Sequence, residues 1–326
     1  MDVTIIGSGS IGASWAIVFA RAGHPVAVYD PDGTRLTAAA AEIDQRLIAL
    51  AEAGLLNESV TDIAARVQMH AELEPALAGA VHIQECAPER LELKRELFAT
   101  LDTLADPDAV IASSSSALPI SQTAGHVHGR RRFLVVHPAN PPHLLPVVEL
   151  VPAEFTDPAV TRRTFALLAA AGMSPVNVLR EVEGFVYNRL QGAVLREAYC
   201  LVRDGVVSVD DLDRVMREGL GRRWAVIGPF ETSDLNTRGG IAEHARRMGP
   251  AYARMGAERG QDDPWTEELV AEVAAQRRAR LPLDQWEQRV AWRDHALIAQ
   301  EQGRRLLDAA AVTDSDSAWR SARPAQ

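Results

Sequence analysis

The sequence predicts an α/β fold, a doubly wound parallel sheet domain followed by an all-helical C-terminal domain. Three observations carry this. Short β-branched runs alternate with amphipathic stretches through the first half, strand signals stop after Gly184, and a glycine-rich turn closes the first strand. Alternation of this kind belongs to a sheet covered by helices on both faces.

In chain order, residues 3–6, 26–29, 81–84, 109–112 and 133–136 read as buried strands of a parallel sheet, because each is a short run built on β-branched or other apolar residues. Residues 11–22, 35–53 and 90–104 between them carry helical periodicity. A strand at 147–151 is followed by a helix at 158–171 and a strand at 174–178. Beyond that the pattern is helical, at 188–203, 209–218, 241–256, 266–280 and 283–307. The polar stretch after residue 312 is expected to fray. No internal repeat is seen, and the predicted domains are 1–182 and 183–326.

Composition narrows the function classes. A chain of 326 residues is about twice the ~150 of one average domain. At 47% apolar and 24% charged it is not a disordered chain. Thirty-four basic residues against 44 acidic ones give a net charge of −10, which argues against a nucleic-acid partner. No apolar run reaches the roughly 18–20 residues of a membrane span. Asp2 and the early glycines do not read as a secretory signal. Cys86 and Cys200 make no disulfide framework, so a cytoplasmic location is expected. No metal site is predicted. Lys94 is the only lysine in the chain.

The first strand leads into Gly7-Ser8-Gly9-Ser10-Ile11-Gly12 and then a helix. Gly7 permits the tight turn, Gly9 lets a pyrophosphate approach the backbone, and Gly12 lets helix and strand pack closely. The helix start at Ser10, Ile11 and Gly12 offers unpaired amides and a positive dipole end to phosphates. The second strand ends in Asp30, 18 residues past Gly12, where a carboxylate would bind a ribose diol. It would repel a 2′-phosphate, so the predicted cofactor of this Rossmann-type domain is NAD. A structural glycine turn beside a surface aspartate is the alternative.

Phe133-Leu-Val-Val-His137 puts a histidine at the end of a strand, the edge that faces the ligand crevice in open α/β sheets. Twelve residues on, Glu149 sits inside the apolar run Leu-Pro-Val-Val-Glu-Leu-Val. A carboxylate buried there needs a partner. Paired with it, His137 would be a general base for an alcohol, with Glu149 fixing its tautomer. Spacing alone also allows a core histidine and an outward-facing glutamate that never meet. The serine run Ser113–Ser116 and Asn140 also follow strand ends, where they would either bond a substrate oxygen or serve as caps and turns.

Together these segments resemble the 3-hydroxyacyl-CoA dehydrogenase superfamily over nearly the whole chain up to about residue 300. The segments are the glycine turn, Glu85-Cys-Ala-Pro-Glu89-Arg-Leu-Glu-Leu-Lys94, the serine run, His137-Pro-Ala-Asn140-Pro, Glu149 and Gly184-Phe-Val-Tyr-Asn188-Arg-Leu. The resemblance implies His137 as base, Glu149 as its partner, and Ser116 and Asn140 as contacts to the substrate oxygen. It places Asn188 at the same site and Asp30 on the adenine side of NAD. It puts Glu89 and Lys94 by the nicotinamide ribose, and Cys86, Ser114 and Asn140 at the cofactor. It also implies a homodimer through the helical domain.

Within the superfamily the chain is similar to the L-gulonate 3-dehydrogenase branch. That similarity rests on Val81-His-Ile-Gln-Glu-Cys, Pro146-Val-Val-Glu-Leu-Val-Pro, Asp211-Leu-Asp-Arg-Val-Met, Gly219-Leu-Gly-Arg-Arg-Trp and Ile227-Gly-Pro-Phe-Glu-Thr. Ala139 and Pro141-Pro142 depart from the acyl-CoA pattern, which starts with aromatics after the histidine. A small hydroxy acid needs one carboxylate clamp, for which arginine's planar fork is suited. Arg222 and Arg223 are the candidates, and Arg223 is preferred. The expected activity is NAD-dependent oxidation of a small L-3-hydroxy acid, L-gulonate first. A short-chain L-3-hydroxyacyl-CoA or L-carnitine is the alternative substrate, with Trp224 as an aromatic face for a quaternary ammonium. A non-enzymatic structural protein on the same scaffold is the remote alternative.

Overall fold

The protein is seen in a computed structural model that describes residues 2–225, 228–237 and 240–259, with scattered positions between 268 and 306. By packing it divides into two units, Met1–Arg189 with Ala291–Gln326, and Leu190–Val290.

The first unit begins β1 (Asp2–Ile6), α1 (Ser10–Arg21), β2 (Val26–Tyr29), α2 (Gly33–Glu52), α3 (Val60–Ala64), β3 (Val67–His70), α4 (Leu73–Leu77) and β4 (Ala80–Glu85). It continues with α5 (Leu91–Leu104), β5 (Val110–Ser113), α6 (Ile120–Ala124), β6 (Phe133–Pro138), β7 (Val147–Pro152), α7 (Pro158–Ala170), β8 (Ser174–Asn177) and the start of α8 (Tyr187–Arg203). The eight strands form one sheet in the order β3-β2-β1-β4-β5-β6-β7-β8. The order reverses between β1 and β4, and both strands end at the same edge. Such a switch point is where open α/β sheets open a ligand crevice.

The five strands expected to form a parallel sheet do so. β7 runs antiparallel to β6, and β8 is parallel to β7. The reason is connection length. Only residues 139–146 join β6 to β7, too few for a parallel crossover, which needs a dozen or more. The edge strand β3 and the five-residue helices α3, α4 and α6 are additions to the predicted elements. Strand β3 escaped notice because it is half exposed and carries Gln68 and His70.

Helices lie on both faces and define two apolar clusters. One joins α1, α2 and α7 to Val3, Ile5, Val28, Val136 and Leu150; the other joins α5 and α6 to Ile6, Ile83, Ile111, Val135 and Val151. Helix α1 is buried from Gly12 to Ala20, which its small and apolar residues allow on every side. Trp15 and Phe19 stack within it at 5.5 Å. The described residues of the C-terminal stretch also pack on this unit. Ile298 joins the first cluster, Gln302 donates to the Ala53 carbonyl, and Arg305 donates to that of Leu55 at 3.3 Å.

One histidine is buried inside the sheet. Burial pushes the His82 pKa down to about 4 from 6.5, against the opposing effect of its hydrogen bond to Gln84 Oε1. On acidification the unfolded chain therefore takes up this proton before the folded one does. Stability is expected to fall by on the order of 3 kcal/mol as pH drops from about 6.5 to about 4. Urea melts across that window should show the loss in the native protein and a flatter profile in His82→Phe. Parallel profiles would contradict it.

In the second unit α8 continues and is followed by α9 (Val209–Val215), a π-helical turn (Met216–Gly221), α10 (Arg222–Trp224), α11 (Pro229–Leu235) and α12 (Gly240–Arg259). Ser208 caps α9 by accepting from the Asp211 amide. Arg259 ties α12 to Glu197 and Asp204. The helices expected at 266–280 and 283–307 fall largely outside the described residues, as does the polar tail. Among the described residues no helix is long and apolar enough to cross a membrane.

Candidate active site

The antiparallel register of β6 and β7 sets His137 directly opposite Glu149. His137 Nδ1 lies 2.8 Å from Glu149 Oε2, and both side chains are buried. An ionised carboxylate only accepts, so Nδ1 carries the hydrogen and Nε2 carries the lone pair. No described residue bonds Nε2. The imidazole is held between Phe185 at 5.5 Å and Tyr187 at 6.3 Å.

The other glutamate oxygen, Oε1, accepts from the amides of Val186 at 2.8 Å and Tyr187 at 2.9 Å. Tyr187 opens the 17-residue α8, so the carboxylate sits on the positive end of a helix. Burial alone would raise the Glu149 pKa. The His137 hydrogen bond and the Tyr187 and Val186 amides outweigh it and hold the group below its usual range. The chain reaches this geometry through two successive left-handed residues, Gly184 (φ 73°) and Phe185 (φ 51°). At a bulky residue that conformation costs on the order of 1–3 kcal/mol. The fully buried Phe185 ring, packed on His137, holds it in place.

At the switch point, Gly7 has φ 100°, and a Cβ there would lie 2.9 Å from the Cys86 carbonyl oxygen. A Cβ on Gly12 would fall 2.0 Å from the Gly7 oxygen, whereas Gly9 has open space around it. No side chain caps α1, whose first backbone bond is Ala13 N–H to the Gly9 carbonyl at 2.9 Å. The amides of Ser10, Ile11 and Gly12 therefore remain for an anion. Ser10 itself is held by Arg46, 2.7 Å from its hydroxyl, and Ile11 packs on the core. The buried Asp30 accepts from the Ser8 amide and hydroxyl at 3.0 and 2.9 Å and from the Asp32 amide at 3.1 Å, tying the glycine loop to β2. These residues fit a pyrophosphate with an adjoining ribose.

The next strand end is organised from below by an ion pair. Lys94 Nζ is 1% exposed and donates to Glu85 Oε1 at 2.7 Å, Glu85 Oε2 at 2.9 Å and the Ala87 carbonyl at 3.2 Å. Its three hydrogens are thereby placed. Lys94, which the resemblance places by the nicotinamide ribose, thus lies beneath the loop with its hydrogens on Glu85 and Ala87, 3.9 Å from Glu89 Oε2. Glu85 also accepts from the Ser113 hydroxyl at 2.6 Å and the Ala87 amide at 2.7 Å. Glu89 takes the Ser115 hydroxyl and the amides of Ala117 and Leu118. Burial works against its ionisation, but Ser115, the Ala117 amide, Lys94 and the Leu118 amide hold its pKa low. Burial pushes the Cys86 thiol up to about 12, so it is no nucleophile at neutral pH.

Asn188, on the first turn of α8, donates to the Ser116 carbonyl at 2.9 Å and joins the serine loop to that helix. Ser116 and Asn140 are exposed. Arg222 pairs with Glu218 at 3.2 Å, while Arg223 is exposed in α10 of the second unit. Glu85, Gln84 and the Val186 and Tyr187 amides were not singled out from the sequence. The Gly184-Phe185 pair ahead of a helix was the available signal for the amides.

A glycine cradle at the switch point and a histidine–carboxylate pair at the same edge of the sheet define an NAD-dependent dehydrogenase. The chain belongs to the 3-hydroxyacyl-CoA dehydrogenase family: the profile of its NAD binding domain matches residues 2–182 and that of its C-terminal domain matches residues 184–281. It is 45% identical over 240 residues to lambda-crystallin of Oryctolagus cuniculus, covering 73% of this chain and 75% of that one. It is 37% identical over 265 residues to L-carnitine dehydrogenase of Streptomyces griseus, covering 81% and 76%. Among solved structures it is similar to 5-formyl-3-hydroxy-2-methylpyridine 4-carboxylic acid 5-dehydrogenase, an NAD+-dependent dismutase. The TM-score is 0.81 at 27% identity, over 94% of this chain and 98% of that one.

Proposed function

We propose that the chain oxidises the 3-hydroxyl of a small L-3-hydroxy acid, L-gulonate to 3-dehydro-L-gulonate being the favoured case. The observation that carries this is the His137–Glu149 pair, 2.8 Å apart, with Glu149 on two helix amides. His137 Nε2 takes the hydroxyl proton as the carbonyl forms. Glu149 holds the imidazole in the tautomer that leaves Nε2 bare and stabilises the imidazolium. Ser116 and Asn140 contact the substrate oxygen, Asn188 reaches the same site, and Arg223 clamps the carboxylate. Gly7, Gly9, Ser10, Ile11 and Gly12 hold the cofactor pyrophosphate, and Asp30 holds the adenosine ribose. The chemistry NAD supplies when bound is acceptance of the hydride that leaves C3. The product is a β-keto acid, which can lose CO2 because the keto group stabilises the resulting carbanion.

The preference for a free acid over a thioester is supported by Ala139 and Pro141-Pro142 and by the net charge of −10, which disfavours a multiply phosphorylated substrate. The same reading makes the protein a homodimer joined through its helical domain, supported by the family resemblance, and places it in the cytoplasm, supported by its two cysteines that form no disulfide framework. The test is initial-rate NAD reduction with L-gulonate, L-carnitine and L-3-hydroxybutyryl-CoA. We expect kcat/KM for L-gulonate to exceed the others by about tenfold or more, a difference of ~1.4 kcal/mol in transition-state binding. Preference for the CoA ester or carnitine would discard the sugar-acid reading and keep the His137 chemistry.

A further inference from the structure

A buried polar chain runs up through the sheet to the cofactor crevice. On β4, His82 Nε2 lies 3.1 Å from Gln84 Oε1. Gln84 Nε2 lies 2.8 Å from Ser114 Oγ and 3.3 Å from the Val136 carbonyl. Trp15 Nε1, from α1, lies 3.1 Å from the same Ser114 Oγ. Cys86 Sγ lies 3.3 Å from Ser114 Oγ and 3.8 Å from the Gln84 carbonyl.

The donors and acceptors permit one arrangement. The Val136 carbonyl only accepts, so the Gln84 amide nitrogen faces it and Gln84 Oε1 faces His82. His82 must then donate from Nε2, which leaves Nδ1 bare. Nδ1 is in fact one of two buried side-chain atoms among the described residues that lack a partner. At the other end, Trp15 only donates, and Gln84 donates through its amide, so both lone pairs of Ser114 Oγ are occupied. The Ser114 hydroxyl hydrogen is left for a third partner. The acceptor within reach here is Cys86 Sγ, a weak one, whose own hydrogen goes to the Gln84 carbonyl. An orphaned histidine nitrogen costs a core what a phenylalanine would not. The donation to Gln84 is what His82 provides in return.

Ser114 follows β5. In the order β2-β1-β4-β5-β6, Asp30 ends β2 and His137 lies near the end of β6. A dinucleotide crossing the switch point from the Asp30 side lays its nicotinamide–ribose half toward β4 and β5. Taking Ser114 at the cofactor as the family resemblance implies, we propose that Gln84 and His82 are positioning residues that hold the Ser114 hydroxyl as a donor to an oxygen acceptor on the nicotinamide–ribose half of NAD. This rests on the NAD-binding fold and not on the substrate or on the role of His137.

Titration calorimetry with NAD and with ADP, which lacks the nicotinamide ribose, tests it without turnover. In Ser114→Ala the Kd for NAD is expected to rise about fivefold, the weight of one neutral hydrogen bond, with that for ADP unchanged. Ser114→Thr, which keeps the hydroxyl, should restore NAD binding. Gln84→Met and His82→Phe should each weaken NAD selectively, and neither should add to the selective loss in a Ser114→Ala background. Equal weakening of NAD and ADP, or no change in either, would overturn the contact. An unchanged NAD-to-ADP ratio in both Gln84→Met and His82→Phe would overturn the relay. If Gln84→Met fails to fold, His82→Phe alone decides it.

Discussion

Replacing His137 by glutamine is expected to lower kcat for NAD reduction by about a thousandfold while the Kd for NAD stays within about twofold. A positioned general base contributes roughly 10²–10⁴ to such a reaction. Glutamine keeps the polarity and much of the volume of the imidazole between Phe185 and Tyr187, so the loss belongs to the proton acceptor and not to a collapsed site. The glycine cradle is on β1 and α1, three strands from the β6 that carries His137, and should bind NAD as before. Glu149→Gln should fall in the same direction. Its amide can accept from only one side, and an NH2 group placed toward the Val186 and Tyr187 amides would face donors with a donor. Stopped-flow turnover beside calorimetric NAD binding separates the two quantities. Comparable rates in His137→Gln would end this mechanism.

Lys94→Met is expected to destabilise the protein by about 3–5 kcal/mol, because it strands the Glu85 carboxylate in the interior. Lys94 is the single cation within 4 Å of Glu85 among the described residues, and neither side chain sees water. What remains for Glu85 is the Ser113 hydroxyl and the Ala87 amide, two hydrogen bonds that do not replace a charge. The damage should extend to the loop that carries Cys86 and Glu89, whose backbone touches Gly7, so NAD affinity should fall with stability. Removing both charges in Glu85→Gln/Lys94→Met should return most of the stability, since the penalty comes from the unpaired ion. Urea denaturation of the two single variants and the double variant measures this. A loss below about 1 kcal/mol in Lys94→Met would contradict the buried pair.

Much of this was readable in the chain, and what was not has physical causes. The glycine turn announces itself because three glycines at fixed spacing between a strand and a helix have a steric purpose, which the 2.0 Å approach of a Gly12 Cβ to the Gly7 oxygen makes concrete. His137 and Glu149 stood out as polar residues inside apolar strands. Their pairing was open until the antiparallel register was known, although the short link between β6 and β7 already disfavoured a parallel crossover. The resemblance put Lys94 by the cofactor, but its pairing with Glu85, nine residues back across a strand–helix junction, could not be read from the sequence because it depends on how strand and helix meet. His82 and Gln84 alternate with Val81 and Ile83, a pattern that reads as a strand with one solvated face, whereas the structure buries both polar side chains, and only three-dimensional neighbours show which polar atoms meet. The amides that hold Glu149 were invisible for a simpler reason, since every residue but proline has one.

The central claim is that a hydroxyl at C3 of the acid is oxidised at the His137–Glu149 pair. The most direct measurement is turnover of NAD with L-gulonate carrying deuterium at C3, followed by mass spectrometry of the reduced cofactor. The account predicts one deuterium in the reduced cofactor with the native enzyme, and its formation about a thousandfold slower with His137→Gln. Reduced cofactor without deuterium would place the oxidation at another carbon and contradict it.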